Sequence, residues 1–215
     1  MISKDYYHQI IDKLSINFSV NSLLTQQSDF IFILESPHVQ ELKHGVPVAG
    51  TSGGTMSKNL FGEQFNKPLG LLLKKNLEET KNRPTLNRIG LVNVSNIPMQ
   101  KAAYHDKNIQ KEYAPFFEML EAIRTSNQKD TYKDEELNLL QHVLIERFND
   151  HLKPIINRKC TIIPCGKFAQ KFFRLANVKG ENWNIIDDVP HPSYNSWSRE
   201  RYAAVIQKVK DALYN

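Results

Sequence analysis

The stretch DFIFILESPH, Asp29 to His38, changes character within a single step of the chain. Its first six residues form a short apolar run that reads as a buried strand. A carboxylate, a hydroxyl, a proline and an imidazole follow at once: Glu35, Ser36, Pro37 and His38. The same pattern, a buried strand that stops on polar chemistry, recurs along the sequence. Arg88 to Val94 (RIGLVNV) reads as a second strand, with Asn93 intruding near its end and Asn96 just beyond. Cys160 to Pro164 reads as a third. Asn184 to Val189 reads as a fourth, followed by His191 and Ser193.

Helical spacing fills the intervals. It predicts helices over Lys4 to Leu14, from about Ser57, over Ile109 to Arg124, over Asp134 to Leu152, over Lys167 to Leu175 and over Ser198 to Leu213. Leu137, Leu140, Leu144, Phe148 and Leu152 share one face of the fourth of these, and Ser198 suits the N-cap of the last. Gly53 and Gly54 are read as a loop before the second helix, Gly166 as a turn, and the polar stretch Thr125 to Lys133 as an exposed loop. Strands alternating with helices predict a three-layer α/β/α fold around a central four-stranded parallel sheet. In such sheets ligands gather at the carboxyl ends of the strands, and that is where the polar clusters fall.

Composition sets bounds on this reading. A chain of 215 residues with 40% hydrophobic content is expected to form a single domain over residues 1–215. No apolar run approaches the length of a membrane span, and Met1 to Leu14 lacks a signal-peptide core, so a cytosolic protein is expected. Cys160 and Cys165 have no further cysteines to join them in a four-thiolate site and read as buried free thiols. A net charge of +5 agrees with a polyanionic partner without requiring one.

The segment VPHPSYNSWSRERY, Val189 to Tyr202, places a histidine between two prolines. Pro190 and Pro192 restrict the backbone on either side of His191, which is a way to aim its side chain. A stiffened strand end with a satisfied histidine is the plainer alternative for those residues alone.

In order, the motifs ILESPH, VPVAGTSGGTMSKNL, GLVNVSNIP, TIIPCGKFAQKFF and VPHPSYNSW resemble the uracil-DNA glycosylase superfamily, and most nearly its members whose first motif reads Gly-Glu-x-Pro-Gly. The resemblance runs from about Ile31 to Leu213. It implies a four-stranded parallel sheet between helices, a DNA partner, no cofactor, and a monomer that flips a base into a pocket and hydrolyses its N-glycosidic bond. It assigns His191 as the donor that stabilises the departing base and Asn93 as the reader of the base edge through an amide that both donates and accepts. Glu35 falls at the glutamate position, where it would orient water or offset charge on the sugar, and Ser36 falls where some relatives carry a water-activating aspartate or asparagine. Pro37, His38 and Val48 would wall the base pocket. Gly53, Gly54 and Ser193 would approach phosphates, while Tyr194, Asn195, Trp197 and Arg199 belong to a loop that relatives push into the duplex. Packing of Trp197 and Tyr202 at the start of the last helix is the alternative for those aromatics.

The chain also departs from the pattern. Leu34 and His38 replace the outer glycines of the first motif, the iron–sulfur cysteines are absent, and Val48 stands where close relatives have a phenylalanine that stacks on uracil. A roomier pocket is therefore expected, for uracil or for a modified pyrimidine such as the hypermodified cytosines of phage DNA that some bacterial members attack. Two rivals remain at this level. One is a metal-dependent hydrolase using Glu35, His38, Asp187, Asp188 and His191; the other is a DNA-binding protein that keeps the fold without catalysis.

Overall fold

A computed structural model describes residues 3–79 and 83–214. In chain order it contains α1 (Lys4–Phe18), β1 (Phe30–Leu34), α2 (Val39–His44), α3 (Thr51–Phe61), α4 (Leu69–Glu78) and α5 (Pro84–Arg88). Then follow β2 (Ile89–Asn93), α6 (Lys107–Glu112), α7 (Ala114–Thr125), α8 (Glu135–Leu152), β3 (Cys160–Pro164), α9 (Gly166–Ala176), β4 (Trp183–Ile185) and α10 (Ala203–Tyr214). The four strands form one parallel sheet in the order β2-β1-β3-β4.

Central β1 is buried at every position. Successive side chains of a strand point to opposite faces, so its apolar residues divide between two cores. Ile31 and Ile33 join Val92 and Ile162 in a cluster with residues of α1, α7, α8 and α9. Phe30, Phe32 and Leu34 join Leu91 and Ile163 in a second cluster with residues of α3, α4 and α10. Helices therefore cover both faces, and the three-layer α/β/α arrangement read from the sequence is the one observed. Cys160 and Cys165 are free and buried, and burial pushes the Cys165 thiol far above its ordinary range.

Three strands lie within a residue of their sequence-based bounds, whereas β4 stops at Ile185. Beyond it, Asp188 takes a left-handed φ of 61°, which turns the chain out of the ladder toward His191. The helix expected over Ile109 to Arg124 is divided at Tyr113, because Pro115 has no N–H to continue the ladder of α6. The closing α-helix begins at Ala203. Ser198 belongs to a preceding 3-10 turn, and its hydroxyl accepts a hydrogen bond from Asn59 of α3 at 3.2 Å, so it is not the N-cap.

Gly53 and Gly54 correct the loop expected around them, since both lie in the first turns of α3. Close packing supplies the reason. A Cβ on Gly53 would lie 1.8 Å from the Val48 carbonyl oxygen, and one on Gly70 of α4 would lie 1.9 Å from that of Pro47. The turn through Pro47 and Val48 is wedged between two helices that only glycine lets so near. Gly53→Ala is expected to lose about 3 kcal/mol of stability from this overlap. Gly54→Ala, whose Cβ would stand 3.4 Å from the Asn66 carbonyl, is expected to be neutral or to gain up to about 1 kcal/mol of helix propensity. Urea unfolding of the two variants checks the contrast, and equal midpoints would refute it.

Candidate functional site

The carboxyl ends of the strands open into a cleft of about 1250 Å³. Register places its first elements: Leu34 at the end of β1 pairs with Asn93 at the end of β2, so Glu35 emerges beside that asparagine. The Asn93 side chain lines the cleft and the residue is only 2% exposed, yet neither its Oδ1 nor its Nδ2 has a hydrogen-bond partner. Leaving a buried amide in this state costs about 1–3 kcal/mol, and both of its polar atoms are free to pair with a group that enters the cleft.

His191 reaches the same cleft from the far end of the sheet. Gly166, at a φ of 88°, makes this possible, because a Cβ there would lie 2.6 Å from the Cβ of His191. The loop is tied down on several sides. Gly166 N–H donates to the Val189 carbonyl at 2.8 Å, the Gln170 amide to the same carbonyl at 3.0 Å, and the Trp197 indole to the Pro190 carbonyl at 2.8 Å. Ser193 N–H donates to His191 Nδ1 at 3.2 Å, with the Ser193 hydroxyl 2.9 Å from the same nitrogen. A backbone N–H can only donate, so Nδ1 is the acceptor and the proton of the neutral ring sits on Nε2. Burial pushes the His191 pKa down to about 4, which keeps the ring neutral in this setting.

The carboxylates are tuned in the opposite direction. Burial raises the Glu35 pKa, while the Arg124 guanidinium of α7, 3.7 Å away, offsets part of that rise. Glu41 of α2 is raised to about 7 by burial, although its two oxygens accept backbone N–H groups from His38 at 2.7 Å and from Val48 at 2.6 Å. The second bond helps hold Val48 at a φ of 46°, a left-handed conformation that is strained for a β-branched residue. Val48 is buried and forms part of the cleft wall.

The cleft thus brings together Glu35, Ser36, His38, Val48, Asn93, His191, Ser193, Tyr194, Asn195 and Arg199 of the residues singled out in the sequence. Pro37, Gly53, Gly54 and Trp197 lie outside its wall. Pro37 is buried, the two glycines lie in the first turns of α3, where Gly53 packs against the Val48 carbonyl, and Trp197 is 1% exposed with its ring 5.8 Å from that of Phe32. Trp197 is therefore a core residue, as the packing alternative had it. The loop tip consists instead of Tyr194, 89% exposed, and Asn195, both in left-handed conformations with φ of 53° and 51°. Arg199 donates to the Tyr194 carbonyl at 3.0 Å and braces that tip.

Sequence reasoning missed Glu41 and Arg124. The His38-to-Glu41 spacing, three residues with a glutamate last, is a capping-box signal that pointed to the first. Nothing local marks Arg124, whose place depends on how α7 packs. Among the described residues no three His, Cys, Asp or Glu side chains converge as a metal-ligand set, so Glu35, His38, Asp187, Asp188 and His191 do not assemble into the site the hydrolase reading needs. No helix among them is long and apolar enough to cross a membrane. No protein-family model matches the chain, and neither does any curated protein. The site must be read from its own chemistry.

The histidine assignment has a solution signature. Since the folded-state pKa of about 4 lies below the ordinary 6.5, the unfolded chain binds the extra proton first as pH falls. His191 should therefore subtract stability progressively from about pH 6.5 down to about pH 4 and contribute nothing above that window. Imidazole NMR should show the Nε2–H form with a midpoint near 4. A midpoint near 6.5, or the Nδ1–H tautomer, would overturn the donor geometry.

Proposed function

We propose that this chain is a DNA glycosylase, which receives a flipped pyrimidine in the cleft and hydrolyses the bond from its ring nitrogen to sugar C1′. One observation carries the reading: a buried, unpartnered amide and a neutral imidazole with its proton on Nε2 line the same cleft. An amide offers one donor and one acceptor face, matched to the edge of a base. The imidazole supplies a donor to a carbonyl oxygen on which negative charge develops.

Each residue then has a role in one balanced step. The electron pair of the C1′–N bond passes to the base, and Nε2–H of His191 stabilises the resulting anion without first giving up its proton. Water adds to C1′, and the proton it sheds goes to Glu35, whose raised pKa brings it closer to the neutral range in which a general base works best. Arg124 limits that rise by favouring the charged form. The products are the free base and an abasic sugar. Tyr194, exposed on a braced and strained tip at the rim, suits the wedge that fills the vacated place in the stack.

The cleft volume exceeds the range of about 300–1,000 Å³ usual for small-molecule pockets, and an aliphatic side chain, Val48, stands in its wall. We extend the proposal accordingly to uracil or an enlarged pyrimidine, including hypermodified cytosine of phage DNA, with repair or antiviral defence in the cytosol as the corresponding role. No step calls for a Lewis acid.

His191→Ala should lower the excision rate by about two to three orders of magnitude, as removal of one oxyanion donor does. Asn93→Ala should impair base selection as well as rate. The assay is base release from DNAs carrying uracil, other deaminated bases or modified cytosines, followed by cleavage of abasic sites. Release of no base from any member would favour a silent DNA-binding protein. Parental rates in both variants would remove the two assignments, and activity lost to EDTA and restored by a divalent ion would return the hydrolase reading.

Val48→Phe tests the pocket wall separately. Any residue other than glycine at this φ is strained, so phenylalanine adds bulk without a new kind of backbone cost. The ratio of uracil release to enlarged-pyrimidine release should rise. If the parent already removes uracil rapidly, ignores every enlarged base, and the variant behaves identically, the open-pocket reading is wrong.

A further inference from the structure

The cleft does not end at His191. Along α9 it opens into a second basin of about 560 Å³, and Asn127, Lys167, Gln170 and Asp188 belong to the walls of both. Phe173, half-buried, and Ile185 give the basin an apolar side; Ile185 is 41% exposed although it lies in a strand. Together they leave an apolar strip beside the polar walls of the basin.

Four cations line the basin, in two states. Arg174 is committed to both carboxylate oxygens of Asp130, at 2.6 and 2.7 Å, and Lys171 is buried with its ammonium donating to the Tyr132 hydroxyl at 2.9 Å. Lys167 and Lys179 are exposed and form no ion pair among the described residues. Two ammonium groups without an ion pair, beside an apolar surface and with Asn127 in the same wall, form a combination suited to unpaired nucleic acid. Cations follow the backbone while base rings stack on an aromatic side chain, here Phe173, with Ile185 extending its apolar surface. A closed double helix hides those faces. Asp187 and Asp188 add negative charge to the wall and direct phosphates toward the lysines.

We propose that this basin binds unpaired nucleotides adjacent to the flipped one, so that the substrate is single-stranded or locally opened DNA. The identity of the ligand rests on the glycosylase reading of the adjoining cleft. Contact with the basin adds affinity in proportion to strand length and is sensitive to salt, because each phosphate contact releases counterions.

Fluorescence anisotropy with labelled oligothymidylates of about four and about twelve nucleotides tests it, the lengths bracketing the usual site sizes for single strands. The parent should bind the longer strand at least about tenfold tighter than the shorter strand or a duplex of the longer one. Lys179→Gln should remove most of that gain and lower the slope of log affinity against log salt by about 0.7. Ile185→Ala should reduce the gain and leave the slope unchanged. Both positions lie outside the glycosylase cleft, so base release from the short substrate should remain parental. A length gain that survives in both variants, a duplex bound as tightly as the single strand, or inorganic polyphosphate competing equally well would overturn the proposal. The two readings fail separately: length-dependent, Lys179-dependent binding without release of any base sinks the glycosylase alone, while base release without the length gain sinks the basin alone.

Discussion

Every side chain of β1 is buried, and neighbours in that strand belong to different cores. The alternation obliges helices to cover both faces, because an apolar strand exposed on either side would forfeit about 1.5–3 kcal/mol per large residue. It also fixes direction. Parallel neighbours on both sides of β1 bring all four carboxyl ends to one edge of the molecule, so residues far apart in the chain meet there. Glu35 and Asn93 arrive side by side because the ladder sets their register, with no contact between their own segments of sequence needed beforehand.

His191 depends on a different device. Its segment leaves the sheet early through the left-handed Asp188 and is then carried over α9 by the missing side chain of Gly166. Hydrogen bonds from Gly166, Gln170 and Trp197 hold the loop, and Ser193 sets the ring tautomer. Trp197 links these two levels. Its ring fills the core next to Phe32, and its indole N–H anchors the histidine loop, so the position of the site is coupled to the packing beneath it.

The cleft gathers features that each weaken a folded protein: an amide with no partner at Asn93, left-handed backbone at Val48, Tyr194 and Asn195, a half-buried carboxylate at Glu35 and a buried one at Glu41. Such departures persist where the surroundings over-determine them, and they concentrate where function is carried out. Elsewhere helices such as α1, α6 and α8 are capped, their Ser3, Asp106 and Asp134 side chains accepting from the first turn. Single buried polar atoms also lack a partner outside the cleft, at Ser57, Asn76, Asn96, Gln141 and Asn149, but among the described residues Asn93 alone has both amide atoms unpartnered, and it lies where the strained turns and the carboxylates meet.

Apolar runs and helical spacing in the sequence sufficed to determine three strands to within a residue, the alternation with helices and therefore the layered parallel sheet. Those signals are local, because burial on both faces demands apolar residues one after another. The polar residues at strand ends were legible too, since Glu35, Asn93 and His191 interrupt patterns that would otherwise continue. Tertiary structure alone decided that Gly53 and Gly54 start a helix, that Trp197 is core while Tyr194 is the exposed tip, and that Arg124 stands beside Glu35. Each of these depends on which backbone or side chain approaches from a distant segment: the Val48 carbonyl against Gly53, Phe32 against Trp197, α7 against the end of β1. A linear pattern records what a residue prefers, whereas approach distances of a few ångströms are set only when the layers close.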